Sequence, residues 1–337
     1  MHRTESGTGF GGPNKTCRRE FLRQAGLWGA GLCVGGSAGA AEQTKKAPEL
    51  AFARSDEALR LTYGPREIIR YQLRPPGMGA SEVPSGCYFH PLTTPAGTVV
   101  TEVAPADHRY HRGIFLAWGE MRGRQEADFW GGGKPAATKD RRIVHRSLEA
   151  KPPSLGYARI RAVNDWMAGK ERMVEEDMRA GVTFQDGGTI LNYAVQLAVE
   201  SEVTLGRRAF GGFAMRTRKD GELVPIGPNG EVKLAPPTHT DPASNWPDSP
   251  WYGFHLKLAD GKEATVAVVG RKGNPPTTWH VVSAIGLLNP CITAPAAVVL
   301  RPDPPLVLRY RVAVFDGPPK LPVINKLAES YYLGIQN

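Results

Sequence analysis

The sequence predicts an all-β protein, a sandwich or a barrel, and three observations predict it. The dominant hydrophobic period is two. Leu191, Tyr193, Val195, Leu197 and Val199 alternate with polar or small residues, and Leu308, Tyr310 and Val312 alternate with Arg309 and Arg311. A strand with one core face and one wet face gives this pattern. Glycine and proline are abundant, at 39 and 29 of 337 residues, and gather in turn signals such as Gln185-Asp-Gly-Gly188 and Asp316-Gly-Pro-Pro319. Helix signals are few; the best runs over 321–333, with Pro322 near its start and Gly334 just past its end.

Taken in order, the chain opens on a segment to be set aside from fold reasoning. Thr16-Cys-Arg-Arg-Glu-Phe-Leu-Arg23 carries a twin-arginine pair, a Gly/Ala-rich apolar stretch follows, and Ala38-Gly39-Ala40 fits a signal peptidase site. Residues 1–41 are therefore expected to be a twin-arginine signal peptide read by the twin-arginine export machinery, giving a periplasmic or secreted bacterial protein. Residues 42–56 are expected to be a loose linker and 57–337 one domain, a length ample for a sizeable core. Strands are expected near 59–63, 68–73, 97–103, 113–118, 157–163, 182–184, 251–258, 264–269 and 280–288. The polar, Pro-rich stretch 223–250 reads as a long excursion off the sheet.

Charge and cysteine content narrow the function classes. The formal net charge is +9; five Lys/Arg and two Asp/Glu lie in residues 1–41, so the remainder carries +6. That excess is spread along the chain and does not indicate a nucleic-acid partner. Past the signal no apolar run is long enough to span a membrane. Cys87 and Cys291 remain there, open to pairing in an oxidising compartment or to burial as small hydrophobes. Gly35-Gly-Ser-Ala-Gly39 matches a hydrolase elbow but lies in the signal, and Trp130-Gly-Gly-Gly-Lys-Pro135 lacks the flanking residues of a phosphate loop. Glu175-Glu176-Asp177 reads as a solvated acidic run.

The chemistry concentrates in Asp107-His-Arg-Tyr-His-Arg-Gly113, just ahead of an apolar strand. A turn at Arg109-Tyr110 would bring His108 and His111 together. Asp107, His108 and His111 are the candidate catalytic residues: imidazoles titrate near neutrality, and the carboxylate would orient one of them. Arg112 and Arg216 would hold substrate oxygens. His90, Trp279 and His280 complete the substrate-binding candidates, the tryptophan as a platform for a sugar ring.

These residues carry a resemblance. Phe89-His-Pro-Leu92, Asp107-His108 with His111-Arg112-Gly113, Ala117-Trp118, Asp128-Phe-Trp130, Phe213 to Arg216, Thr278-Trp-His280 and Leu308-Arg-Tyr-Arg311 resemble the PmoA-like proteins, a soluble family of unknown function labelled after a methane oxygenase subunit. Members read Asp-His-x-His-His-Arg-Gly; Tyr110 stands in place of the middle histidine and weakens a three-histidine metal site. An acidic residue expected before Phe213 is replaced by Ala209-Phe210-Gly211. The resemblance implies little settled chemistry. The strand-rich layout is in turn similar to the large two-sheet antiparallel β-sandwich of galactose mutarotases and many polysaccharide lyases, a supersandwich here expected to carry a short C-terminal helix, and by that fold-level analogy the ligand is a sugar or glycan. The expected function is an exported carbohydrate-active enzyme: a lyase, epimerase or glycoside-cleaving enzyme, one option being an oxidised sugar as substrate. No cofactor is required, and a divalent metal is the less favoured option. The alternatives are a non-catalytic carbohydrate-binding or envelope module and, more remotely, a metal-dependent oxygenase.

Overall fold

The computed structural model describes residues 49–75, 85–131 and 141–334. The expected export signal and the first part of the expected linker lie outside the described residues.

Two large antiparallel sheets face one another. The eight-stranded sheet runs, edge to edge, Leu50–Arg54, Ala58–Tyr63, Arg66–Gln72, Tyr88–Leu92, Ile114–Ala117, Gly212–Arg216, Leu287–Cys291 and Thr278–Val282. The nine-stranded sheet runs Gly230–Glu231, Gly221–Gly227, Trp251–Leu258, Glu263–Val269, Leu306–Asp316, Gly188–Ala198, Glu171–Gln185, Tyr157–Ala168 and Arg141–Ser154. A small four-stranded sheet is formed by Val298–Leu300, Val203–Leu205, Met121–Arg122 and Glu126–Ala127. The architecture is the two-sheet sandwich with a C-terminal helix that the sequence predicts. Among the described residues no helix is long and apolar enough to cross a membrane.

The core sits between the large sheets, and strand alternation decides which residues enter it. Phe213 stacks on Tyr310 at 4.4 Å between ring centroids, Phe89 meets Tyr193 edge-on at 6.5 Å, and Tyr252 meets Trp279 at 5.3 Å. Phe89, Phe213 and Trp279 therefore point inward. Their neighbours His90, Ala214 and His280 point to the outer face of the eight-stranded sheet. The outer face of the nine-stranded sheet is partly covered by the helix Leu321–Tyr332, whose Ile324, Leu327 and Ala328 pack with Ala267, Val269, Ala313 and Phe315.

Several expectations are corrected. Leu50–Arg54, placed in the loose linker, is an edge strand paired with Ala58–Tyr63. The stretch 97–103 is not a continuous strand: Val99, Thr101 and Val103 make isolated bridges. The region 280–288 is broken by a short 3-10 turn at Ser283–Ile285. The excursion expected over 223–250 begins as a strand, Gly221–Gly227, paired with Trp251–Leu258. Glu176, read as solvated, is buried; its carboxylate accepts from Trp166 Nε1 at 2.8 Å and Asn164 Nδ2 at 2.9 Å, and burial pushes its carboxyl up to about 7. Cys87 and Cys291 are both free thiols.

Candidate functional site

The loop 103–113 is closed at its base and wound inside. Ala104 N–H donates to His111 O at 2.8 Å and Gly113 N–H to Glu102 O at 2.8 Å. Within it, His108 N–H donates to Pro105 O and His111 N–H to His108 O, at 3.0 and 2.9 Å. Two successive turns of that kind place residues three apart over one another. The imidazoles of His108 and His111 accordingly stack, 4.8 Å apart and 19° from parallel. Gly113, at φ 57°, makes the closure possible, because a Cβ there would lie 2.3 Å from Phe89 O.

Arg216 holds this loop from the neighbouring strand. Its side chain is fully enclosed, at 0% exposure. Nη2 donates to both Asp107 oxygens at 2.9 and 3.1 Å, Nη1 to His111 Nδ1 at 3.4 Å, and Nε lies 3.5 Å from Glu102 Oε2. Lys219 Nζ adds a third contact to Asp107 at 2.8 Å. His108 Nδ1 lies 3.2 Å from Asp107 Oδ2, an electrostatic contact without hydrogen-bond alignment. Burial opposes the Asp107 charge, but Lys219, Arg216 and His108 outweigh it and hold the carboxyl well below the usual carboxylate range.

The two stacked histidines have different surroundings. His111 is buried, and burial together with the Arg216 charge pushes it down to about 2. A guanidinium has donors alone, so His111 Nδ1 must accept and the proton sits on Nε2. His108 is the accessible member, with 28% of its side chain exposed.

From His111 a row of rings crosses the outer face of the eight-stranded sheet. His111 meets Trp130 at 5.6 Å, Trp130 meets Phe210 at 5.2 Å, and Phe210 meets His280 at 5.7 Å. At the far end, Asn245 Nδ2 donates to Ala209 O at 2.7 Å, which turns its Oδ1 to His280 Nδ1 at 2.9 Å. His280 therefore carries its proton on Nδ1 and leaves Nε2 as an acceptor. Burial pushes it down to about 4. The row thus has a neutral Nε2–H donor in His111 and a neutral Nε2 acceptor in His280.

Of the residues expected to gather here, Asp107, His108, His111 and Arg216 are in direct contact, and His280 is joined to them through Trp130 and Phe210. Three substrate-binding expectations need correction. Arg216 is sealed under the loop and is a positioning residue. Arg112 is buried; Nη2 donates to Phe129 O at 3.4 Å and the guanidinium lies over the Phe115 ring at 5.1 Å, burial pushing it down to about 10. Trp279 is fully enclosed in the core, so its ring offers no face to a sugar. The parity of the strand decides this: His280 faces the row and Trp279 the core. His90 shares the outer face, but its Nδ1 contacts Thr101 Oγ1 at 3.0 Å, and no hydrogen bond or ring contact joins it to the row among the described residues. Burial pushes His90 down to about 4.

Sequence reasoning missed Glu102, Lys219, Trp130, Phe210 and Asn245. Of these, Trp130 alone carried a signal, within Asp128-Phe-Trp130. Among the described residues no group of three or more His, Cys, Asp or Glu side chains is placed to hold a metal ion.

Residues 58–329 match the family of unknown function DUF6807. The chain belongs to that family. No curated protein matches its sequence. Among solved structures it is similar to the GH36 alpha-galactosidase AgaB from Geobacillus stearothermophilus, at 12% identity and a TM-score of 0.44, over 80% of this chain and 41% of that one. It is also similar to the Slr1438 protein from Synechocystis sp. PCC 6803, at 10% identity and a TM-score of 0.39, over 82% of this chain and 99% of that one. The chain thus spans about two fifths of the length of the galactosidase.

Proposed function

We propose that this member of the DUF6807 family is an exported carbohydrate-active enzyme in which His108 exchanges a proton with a bound sugar. The observation that carries the reading is the His108–His111 stack pinned by Asp107 and Arg216. An accessible imidazole is held against a neutral one, with a carboxylate at its Nδ1 side, an arrangement suited to general acid–base work. Phe210, half-buried, supplies apolar surface along the row for a ring face, with the enclosed Trp130 packed behind it. His111 Nε2–H and His280 Nε2 supply a donor and an acceptor along the same row.

Within that class, proton removal and return on an oxidised sugar, as in a lyase or epimerase, fits better than glycoside cleavage. Glycosidases use two carboxylates across the scissile bond, and Asp107 is committed to Arg216 and Lys219. The chemistry calls on no cofactor. The PmoA-like resemblance rests on the sequence motifs and adds no reaction of its own. Export rests on Arg18-Arg19 and the stretch after them; changing both to lysine should leave the protein in the cytoplasm in a fractionation assay.

The test is turnover on a panel of keto-sugar glycosides and uronic acid glycosides. His108→Ala should lower the rate about 10²–10⁴-fold while ligand affinity persists. An unchanged rate in His108→Ala would overturn the assignment. A binding module is the second reading, favoured by the burial of His111, Arg216 and His280. It predicts no turnover by the wild type on any glycan, with affinity retained in His108→Ala.

A further inference from the structure

A second feature lies on the other side of the molecule and owes nothing to the histidine row. The outer face of the nine-stranded sheet, where the C-terminal helix leaves it uncovered, holds a half-open groove of about 860 Å³. Strand register builds its floor from two transverse rows. Glu149, Arg161, Arg179, Ala194 and Arg309 lie opposite one another across five strands. Lys151, Arg159, Gly181, Asn192 and Arg311 do the same two residues further along. Arg271 and Tyr331 close one end.

Like charges directly opposite one another are destabilising in a sheet, and here Arg161 faces Arg179. Asp177 bridges that pair, at 3.0 Å from Arg161 Nε and 3.1 Å from Arg179 Nη2. The rest of the groove has no such compensation: among the described residues Lys151, Arg159, Arg271 and Arg309 have no carboxylate partner. Arg311 is held in place by Asn192 Oδ1 at 2.8 Å and Leu327 O at 2.9 Å, both uncharged. Positive charge in a concave site with low-dielectric walls focuses field on an anion, and guanidinium forks match carboxylate and sulfate oxygens.

The spacing selects an extended anion. The strands of Arg159 and Arg311 are three spacings apart, about 14 Å, so one small anion cannot meet both ends. The rings weigh against single-stranded nucleic acid, which stacks its bases on aromatic faces. Arg159 lies over Tyr157 at 5.1 Å and Arg311 over Tyr331 at 4.5 Å. Gly181 lets Tyr157 lie down on the floor, since a Cβ there would come 1.8 Å from the Tyr157 hydroxyl.

We propose that this groove binds an acidic oligosaccharide, a glycan bearing carboxylate or sulfate groups along its length. The inference goes beyond the histidine row and stands or falls separately from it. The test is calorimetric titration of the full chain with a defined oligogalacturonide, its methyl ester, a chondroitin sulfate oligosaccharide and a single-stranded oligonucleotide of equal charge. The acidic glycans should bind in a salt-dependent way, the uronide and sulfate arms telling which group is preferred. The methyl ester should bind at least about ten-fold more weakly, and the double variant Arg159→Ala/Arg309→Ala should lose about ten-fold or more while keeping its Tm. The proposal is overturned if neither acidic glycan binds, if the methyl ester binds as well as the acid, if the oligonucleotide binds more tightly, or if the double variant keeps full affinity.

Discussion

The outer faces of the two large sheets use the same residue, arginine, in opposite ways. On the eight-stranded sheet Arg216 is sealed and contacts Asp107, Glu102 and His111, so its charge is consumed in fixing a loop. On the nine-stranded sheet Arg159 and Arg309 are exposed and without carboxylate partners among the described residues. A buried charge surrounded by counter-charge positions its neighbours; an exposed, uncompensated one in a groove is left for a ligand. The difference lies in burial and partners and not in residue type.

The largest effects should separate core from site. Trp279→Ala should cost about 3–5 kcal/mol, as expected of an enclosed aromatic, read by denaturant unfolding. A change under about 1 kcal/mol would mean that Trp279 is accessible and would restore it as a sugar platform. Arg216→Ala comes next. It leaves Asp107 to Lys219 and His108 and strands Glu102 and the His111 ring, and should cost about 3 kcal/mol. Arg309→Ala, by contrast, should stay within about 0.5 kcal/mol of wild type. Equal losses for the two arginines would erase the contrast between the faces.

The same contrast explains what could be read from sequence. Strands 191–199 and 306–315 were legible because one face is apolar and the other wet, and Arg309 and Arg311 fall on the wet face as the pattern demands. Strands at or next to a sheet edge were not. Leu50–Arg54 is an edge strand, Gly221–Gly227 has only the two-residue Gly230–Glu231 beyond it, both show little apolar alternation, and Pro225 further masks the second. Of Glu171–Gln185 only the end near 182–184 was legible; the rest was hidden because Glu176 turns a carboxylate into the core, inverting the expected pattern. The histidine cluster was legible as a local density of imidazole, carboxylate and guanidinium. That Arg112, Arg216 and Trp279 are enclosed was not legible, since it follows from which strands pair and which loop closes over them.

A smaller effect appears with pH. Burial holds His111, His280 and His90 neutral at about 2, 4 and 4, below the ordinary 6.5. Each contributes stability that is full above about 6.5 and lost as pH falls toward the folded value. Glu176, raised to about 7, acts in the opposite sense: its contribution is full below about 4.5 and lost as pH rises through 7. Three histidines outweigh one glutamate, so unfolding should take up protons between pH 6.5 and 4.5. Stability should fall on acidification by up to about 1.4 kcal/mol per pH unit for each net proton. His280→Gln, which keeps a polar partner for Asn245, should flatten that slope; an unchanged slope would show that His280 is not held neutral.

The most direct test of how the histidine row is built is ¹⁵N NMR of the imidazoles across pH 8 to 5. The account predicts that His111 stays neutral throughout, with its proton on Nε2, because Arg216 donates to Nδ1 inside a buried stack. A His111 that protonates within that range, or that carries its proton on Nδ1, would contradict it.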